Sequence, residues 1–155
     1  MKILDFIAAE DIRIEIGNKH SLIGIYSEKV VLPIQGNITW PFPLRLAVFI
    51  RISKEQDGNL VDCLNLEILH NGKLIVPVKA PLGPPTESPS IIIAANMNPF
   101  PLPGPGILDF NLQLLSRGTI VFSQHGPFPI DISVQNIAQG GLYSYKPAIS
   151  SSDQT

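Results

Sequence analysis

Leu44-Arg45-Leu46-Ala47-Val48-Phe49-Ile50-Arg51-Ile52 decides the fold class. Leu44, Leu46, Val48, Ile50 and Ile52 alternate with Arg45, Ala47, Phe49 and Arg51. A period of two fits a strand with one face in a core and does not fit a helix. Pro41-Phe42-Pro43 leads directly into this segment. Each proline fixes φ, lacks an N–H and pushes the preceding residue toward extended geometry. The tripeptide therefore ends one element and aims the chain into the next. It recurs as Pro99-Phe100-Pro101 and Pro127-Phe128-Pro129.

The same periodicity extends outward in both directions. Ile12, Ile14 and Ile16 alternate with Asp11, Arg13 and Glu15, and after a turn at 17–20 residues 21–26 form a return strand. A short strand follows at 30–32. Leu64, Leu66 and Ile68 alternate with Asn65 and Glu67, and Asn71-Gly72 supplies the positive φ of a type I′ hairpin turn before the return at 74–79. Residues 80–90 and 98–106 are proline-rich loops, with Ile91-Ile92-Ile93 between them as a strand apolar on both faces. Leu108, Phe110, Leu112 and Leu114 begin another hairpin that turns at Arg117-Gly118 and returns over 120–123, and Ile130, Ile132 and Val134 form the last strand. Residues 65–75 echo residues 111–121 as strand, glycine-bearing turn and return strand; two hairpins converging on one pattern account for this.

These segments predict an all-β protein: an antiparallel two-sheet β-sandwich, Ig-like or C2-like, of eight to ten short strands and no helix. One domain over 1–145 and a loose polar tail over 146–155 are expected. Ile14, Ile23, Leu46, Val48, Ile50, Leu66, Ile68, Leu112, Leu114 and Ile132 are expected to line one continuous core.

Composition narrows the function classes. The chain has 155 residues, 45% of them hydrophobic and only 15% charged, against about 25% charged in soluble proteins generally. Fifteen prolines and twelve glycines go with this apolar content, which argues against disorder. A net charge of −2, with eleven unclustered Lys and Arg residues, gives no basis for nucleic-acid binding. Low charge protects weakly against self-association, so a homo-oligomer, most simply a dimer, or a protein partner is expected. No apolar run reaches the ~18 residues of a membrane span. Met1-Lys2-Ile3-Leu4-Asp5 breaks its apolar run with an acid, unlike a signal peptide, so a cytoplasmic location is expected. Asn37-Ile38-Thr39 matches a glycosylation sequon, which has no meaning in that compartment. The single Cys63 excludes an internal disulfide.

The block Glu10-Asp11-Ile12-Arg13 through Gly17-Asn18-Lys19-His20-Ser21-Leu22-Ile23-Gly24-Ile25-Tyr26 resembles an uncharacterised bacterial β-sandwich family, a domain of unknown function. Its members open with an acidic-Asp-x-Arg-x-Glu strand, a Gly-Lys turn and a Ser-Leu-Ile-Gly-x-Tyr strand. The approach Pro41-Phe42-Pro43-Leu44 and the hairpin over 106–122 are similar to later parts of that family. The resemblance implies a β-sandwich in a cytoplasmic bacterial or phage-borne setting. It carries over no functional residue.

The residues that could carry chemistry are few. His20, His70 and His125 could hold zinc if they converged, but no two have ligand-pair spacing, so solvent-exposed turn histidines are expected. Cys63 stands beside Asp62, which opposes thiolate formation, so a structural thiol is expected. Asp5, Glu10, Asp11 and Glu15 could pair as catalytic carboxylates or bind calcium, yet they alternate as a solvated strand face does. No Gly-x-Ser-x-Gly elbow occurs, Gly104-Pro105-Gly106 lacks the donors of a phosphate loop, and Pro81-Leu82-Gly83-Pro84 has a PxxP spacing that proline-rich loops produce readily. Trp40, Arg45, Phe49 and Arg51, together with Ile92, have the mixture of Arg, aromatic and aliphatic side chains found at interfaces. A second buried face with snorkelling arginines would look the same.

No catalytic residue, metal site or cofactor is expected. The leading expectation is a non-enzymatic protein-interaction module that self-associates or binds a protein partner. The alternatives are a structural subunit of a phage or secretion-type assembly, and a small-molecule or carbohydrate-binding domain that uses the proline-rich loops.

Overall fold

In the computed structural model, residues 1–17, 19–54, 61–83, 88–126 and 129–137 are described. Of these, 72% are in strands and none is helical. The strands are β1 (Lys2–Glu15), β2 (Lys19–Ile25), β3 (Lys29–Ile34), β4 (Phe42–Leu44), β5 (Ala47–Ser53), β6 (Cys63–His70), β7 (Lys73–Pro81), β8 (Ser90–Asn96), β9 (Phe100–Leu102), β10 (Gly106–Ser116), β11 (Thr119–His125) and β12 (Ile130–Asn136). Twelve strands replace the expected eight to ten. The difference is β4 and β9, three-residue strands made of the proline tripeptides themselves, where the rigid φ of proline hid a short ladder. The expected tail at 146–155 and residues Pro127-Phe128 of the third tripeptide lie outside the described residues.

Three sheets form. One runs β2-β1-β5-β8, the larger runs β3-β12-β10-β6-β7 with β11 also paired to β10, and β4-β9 is a two-stranded ribbon. Pairing is antiparallel except between β12 and β3, which are parallel. That corrects the all-antiparallel expectation. The chain between β3 and β12 passes through β4 to β11, so it is long enough for a return in the same direction.

The ribbon organises the rest. Phe42-Pro43-Leu44 lies opposite Phe100-Pro101-Leu102, with Pro43 facing Pro101. The chain leaves one of these strands for β5, inside the four-stranded sheet, and the other for β10, inside the larger sheet. Leu44, Phe100 and Leu102 are buried beneath the ribbon. One buried cluster draws on all three sheets: Val48, Ile50 and Ile52 from β5, Leu64, Leu66 and Ile68 from β6, Leu108, Phe110, Leu112 and Leu114 from β10, and the ribbon residues. The rings of Phe6 (β1) and Phe110 (β10) lie 5.4 Å apart within it.

Eight of the ten expected core residues are buried, and Ile14 and Ile23 are not. Ile14 is 73% exposed. Ile23 stands opposite Asp11, on the face away from the Ile12–Leu22 pair. The cause is the course of β1, which pairs with β5 only from Lys2 to Ala9. Beyond Ala9 only Ile12 of the alternating isoleucines is still covered, and Ile14 and Ile16 run on into solvent, so alternation persists there without burial. A register shift between Ile3 and Asp5 also disguises the first half of β1 as non-alternating.

The echo between 65–75 and 111–121 has a structural counterpart. Each hairpin has its register shift at the equivalent place, between Ile68 and Leu69 and between Leu114 and Leu115. Each turns through equivalent positive-φ pairs, Asn71-Gly72 and Arg117-Gly118. β6 and β10 lie antiparallel with Leu66 opposite Leu112. Asn65 donates to Gln113 Oε1 and Asn111 donates to Glu67 Oε2, both at 2.8 Å, so the two bonds are related by the same approximate two-fold.

Candidate functional site

The outer face and free edge of the four-stranded sheet bring together most of the residues with an interface composition. Alternation along β5 turns Val48, Ile50 and Ile52 inward and Phe49 and Arg51 outward. The ladder sets Phe49 between Ile7 of β1 and Ala94 of β8, and Arg51 between Asp5 of β1 and Ile92 of β8. Phe49, Arg51 and Ile92 thus share one surface.

Ion pairs fix the arginines on this side. Arg51 Nε is 2.6 Å from Asp5 Oδ2, directly across the β1–β5 ladder. Arg45 Nη2 lies 3.6 Å from Asp11 Oδ2, which Arg13 Nε also approaches at 3.4 Å. Partly exposed pairs of this kind contribute at most about 1 kcal/mol each. Their main effect is to hold the guanidinium groups against the strands.

Beyond Ala9, β1 bends away from β5. The Asn96 carboxamide accepts from Ile12 N–H at 3.1 Å and donates to Ile12 C=O at 2.9 Å, replacing a strand partner with a side chain. Asn98 continues this clamp, accepting from Leu46 N–H at 2.7 Å and donating to Glu10 C=O at 3.1 Å. A straight β1 would carry Ile14 roughly 23 Å past Ile7, the partner of Phe49. Yet His20, which pairs with Ile14, has its ring 5.4 Å from the Phe49 ring. The hairpin is therefore folded back toward the outer face of β5. Ala9, Ile12 and Ala47 are buried at this bend although they stand outside the main cluster. Tyr26 closes it: its hydroxyl donates to Arg45 C=O at 2.5 Å. Burial, then the Glu10 carboxylate, against the opposing pull of Arg45, push its pKa up to about 12. Asn96 and Asn98 were invisible as functional positions in the sequence. The available signal was the spacing Asn96-Met97-Asn98-Pro99 at a strand end, where a short carboxamide can cap a neighbouring backbone.

Trp40 stands apart from the other four. Its ring meets Phe42 edge-on at 6.3 Å, and it lines an open cleft of about 580 Å³ with Ile34, Ile38, Pro105, Val134 and Asn136. The three histidines end up on β2, β6 and β11, and among the described residues no three His, Cys, Asp or Glu side chains converge as a metal-binding group. The Cys63 thiol lies 3.5 Å from Leu64 C=O. No family model, curated protein or solved structure matches the chain.

Proposed function

We propose that the chain is a non-catalytic β-sandwich, Ig-like or C2-like, that works as an interaction module by self-associating or binding a protein partner through its four-stranded sheet. One observation carries this reading. Of the ten exposed large apolar side chains among the described residues, six belong to β1, β2, β8 or the β1–β2 turn: Leu4, Ile14, Ile16, Ile23, Ile25 and Ile92. Of these, Ile92 lies beside Arg51 on the face that also carries Phe49, and apolar surface next to a paired arginine and an aromatic ring is what a partner desolvates. The sandwich is supported by one cluster shared between the two large sheets. The absence of catalysis is supported by how two of the candidate carboxylates are engaged, with Asp5 and Asp11 held by arginines. The likeness of residues 10–26 to a bacterial family of unknown function is compatible with this role and a cytoplasmic setting.

Native mass spectrometry of the protein isolated from cells that express it naturally tests the reading. The expected mass is a multiple of the chain, or the chain plus a stoichiometric partner. A bare monomer throughout would refute it.

The Trp40 cleft favours a second reading, a small-molecule or carbohydrate site. An aromatic ring beside Asn136 in a shallow groove suits stacking on an apolar sugar face. A sugar that raises the melting temperature of the native protein but not of Trp40→Ala would establish it; no shift with a broad sugar panel would remove it.

A further inference from the structure

β8 ends the four-stranded sheet, and among the described residues no strand pairs with its other side. Exposed edges are usually guarded by Lys, Pro or irregular backbone, because an open row of N–H and C=O groups invites another chain. The other sheet ends follow that rule. β2 has Lys19 and the positive-φ Gly24, β3 has Lys29 and Pro33, and β7 has Lys73, Pro77 and Lys79. β11 joins β10 through a register shift, which twists an edge. β8 reads Ser90-Ile91-Ile92-Ile93-Ala94-Ala95-Asn96, has no charge or proline, and pairs with β5 over seven residues without a shift.

The direction of its free groups follows from the ladder ends. Met97 N–H donates to Leu46 C=O at 2.8 Å and Lys54 N–H to Pro89 C=O at 2.9 Å. Bonded and non-bonded pairs alternate along an antiparallel ladder, so Ile91, Ile93 and Ala95 bond toward β5, while Ser90, Ile92, Ala94 and Asn96 face the open side. The Ser88 hydroxyl meets the Ser90 backbone on that side. Among the described residues nothing pairs with the outward backbone groups of Ile92 and Ala94.

We propose that β8 pairs antiparallel with β8 of a second copy, about a two-fold axis at Ile93, joining the two four-stranded sheets into one of eight strands. This rests on the interaction reading above and names its partner. The register follows from side-chain size. With the axis at Ile93, Ile92 stands opposite Ala94 of the second copy, Ile91 opposite Ala95 and Ser90 opposite Asn96. Large meets small at the Ile92–Ala94 and Ile91–Ala95 pairs, Ile93 meets its own copy at the axis, and polar meets polar at the ends. The Ile92 and Ala94 backbones then exchange bonds as closely bonded pairs. No like charges oppose one another, whereas self-pairing of β7 or β3 would bring lysines and prolines to the seam. The exposed Ile92, which lies beside Arg51, would settle over Ala94 next to Phe49 of the other copy, so the mixed Arg and aromatic surface flanks the joint.

Sedimentation velocity over a concentration series, on the full chain, tests this. Wild type is expected to dimerise. Ala94→Pro, which removes an outward N–H, and Ile92→Lys, which sets charges into the seam, are each expected to weaken dimerisation at least about tenfold, with melting curves confirming that the variants fold. Register is tested separately in a Cys63→Ser background. Under mild oxidation a mixture of Ile92→Cys and Ala94→Cys chains is expected to form a covalent heterodimer that neither chain forms alone. A dimer that survives both edge substitutions and fails to cross-link would overturn the β8 joint while leaving the interaction reading intact. A wild-type chain that is monomeric at every concentration, or that assembles only with a different protein, would also overturn the second-copy proposal; only the bare monomer counts against the interaction reading too.

Discussion

Asn96 is the residue on which the course of β1 turns. Its carboxamide satisfies both backbone groups of Ile12 at the point where β5 no longer can. Replacing it with Ala leaves those two groups without their partner beside a buried Ile12. Asn96→Ala is expected to cost about 1–3 kcal/mol and to speed hydrogen exchange selectively at residues 10–14, measured by amide exchange with mass spectrometry. Tyr26 makes a second contribution at the same bend. Its folded pKa of about 12 lies above the ordinary 10.0, so the folded state holds the phenolic proton more tightly than the unfolded chain. The stability from this difference is complete below pH 10, falls as pH rises from 10 to 12, and is gone above that. Denaturant midpoints are therefore expected to fall more steeply over this range in wild type than in Tyr26→Phe; parallel curves would show that the hydroxyl is not proton-linked to folding.

At the scale of elements, the two equivalent hairpins can be compared with each other. Both turns need a left-handed residue just before glycine, Asn71 at φ 50° and Arg117 at φ 49°. Asparagine tolerates that region because its short side chain bonds locally, whereas arginine gains nothing there. Each turn is also fastened to the start of the other hairpin. Asn71 Oδ1 accepts from Ile107 N–H at 2.9 Å, and Asp62 Oδ2 accepts from Arg117 N–H at 2.7 Å. The second bond uses the Arg117 backbone and survives substitution. Arg117→Asn is accordingly expected to raise stability by about 0.5–1 kcal/mol in urea denaturation, and a loss of stability would contradict the strain argument.

For the whole molecule, the governing fact is that one buried cluster serves all three sheets. Val48 and Leu66 are fully buried in opposite large sheets. Truncating either to Ala is expected to cost about 2–4 kcal/mol and to lower protection of amides in both sheets together, as a single cooperative transition requires. Ile14→Ala, at a site 73% exposed, is expected to shift the denaturation midpoint negligibly. Separate transitions for the two large sheets would show that the ribbon of β4 and β9 does not bind them into one unit.

Alternation alone determined that this chain is all-β, and it set the inward faces of β5, β6, β10 and β12, because a period of two leaves a strand only one way to meet a core. The proline tripeptides announced where elements begin, and the echo of residues 65–75 in 111–121 announced two like hairpins. Tertiary structure alone decided that two of the tripeptides pair with each other, that β3 and β12 run parallel, and that Ile14 and Ile23 stay in water. It also decided that Trp40 parts from Phe49, Arg51 and Ile92. Alternation records which side of a strand is apolar, but whether that side is covered depends on which distant segment lies across from it. For the β1–β2 hairpin, that was set by a bend at Ala9 and by two asparagines more than eighty residues away.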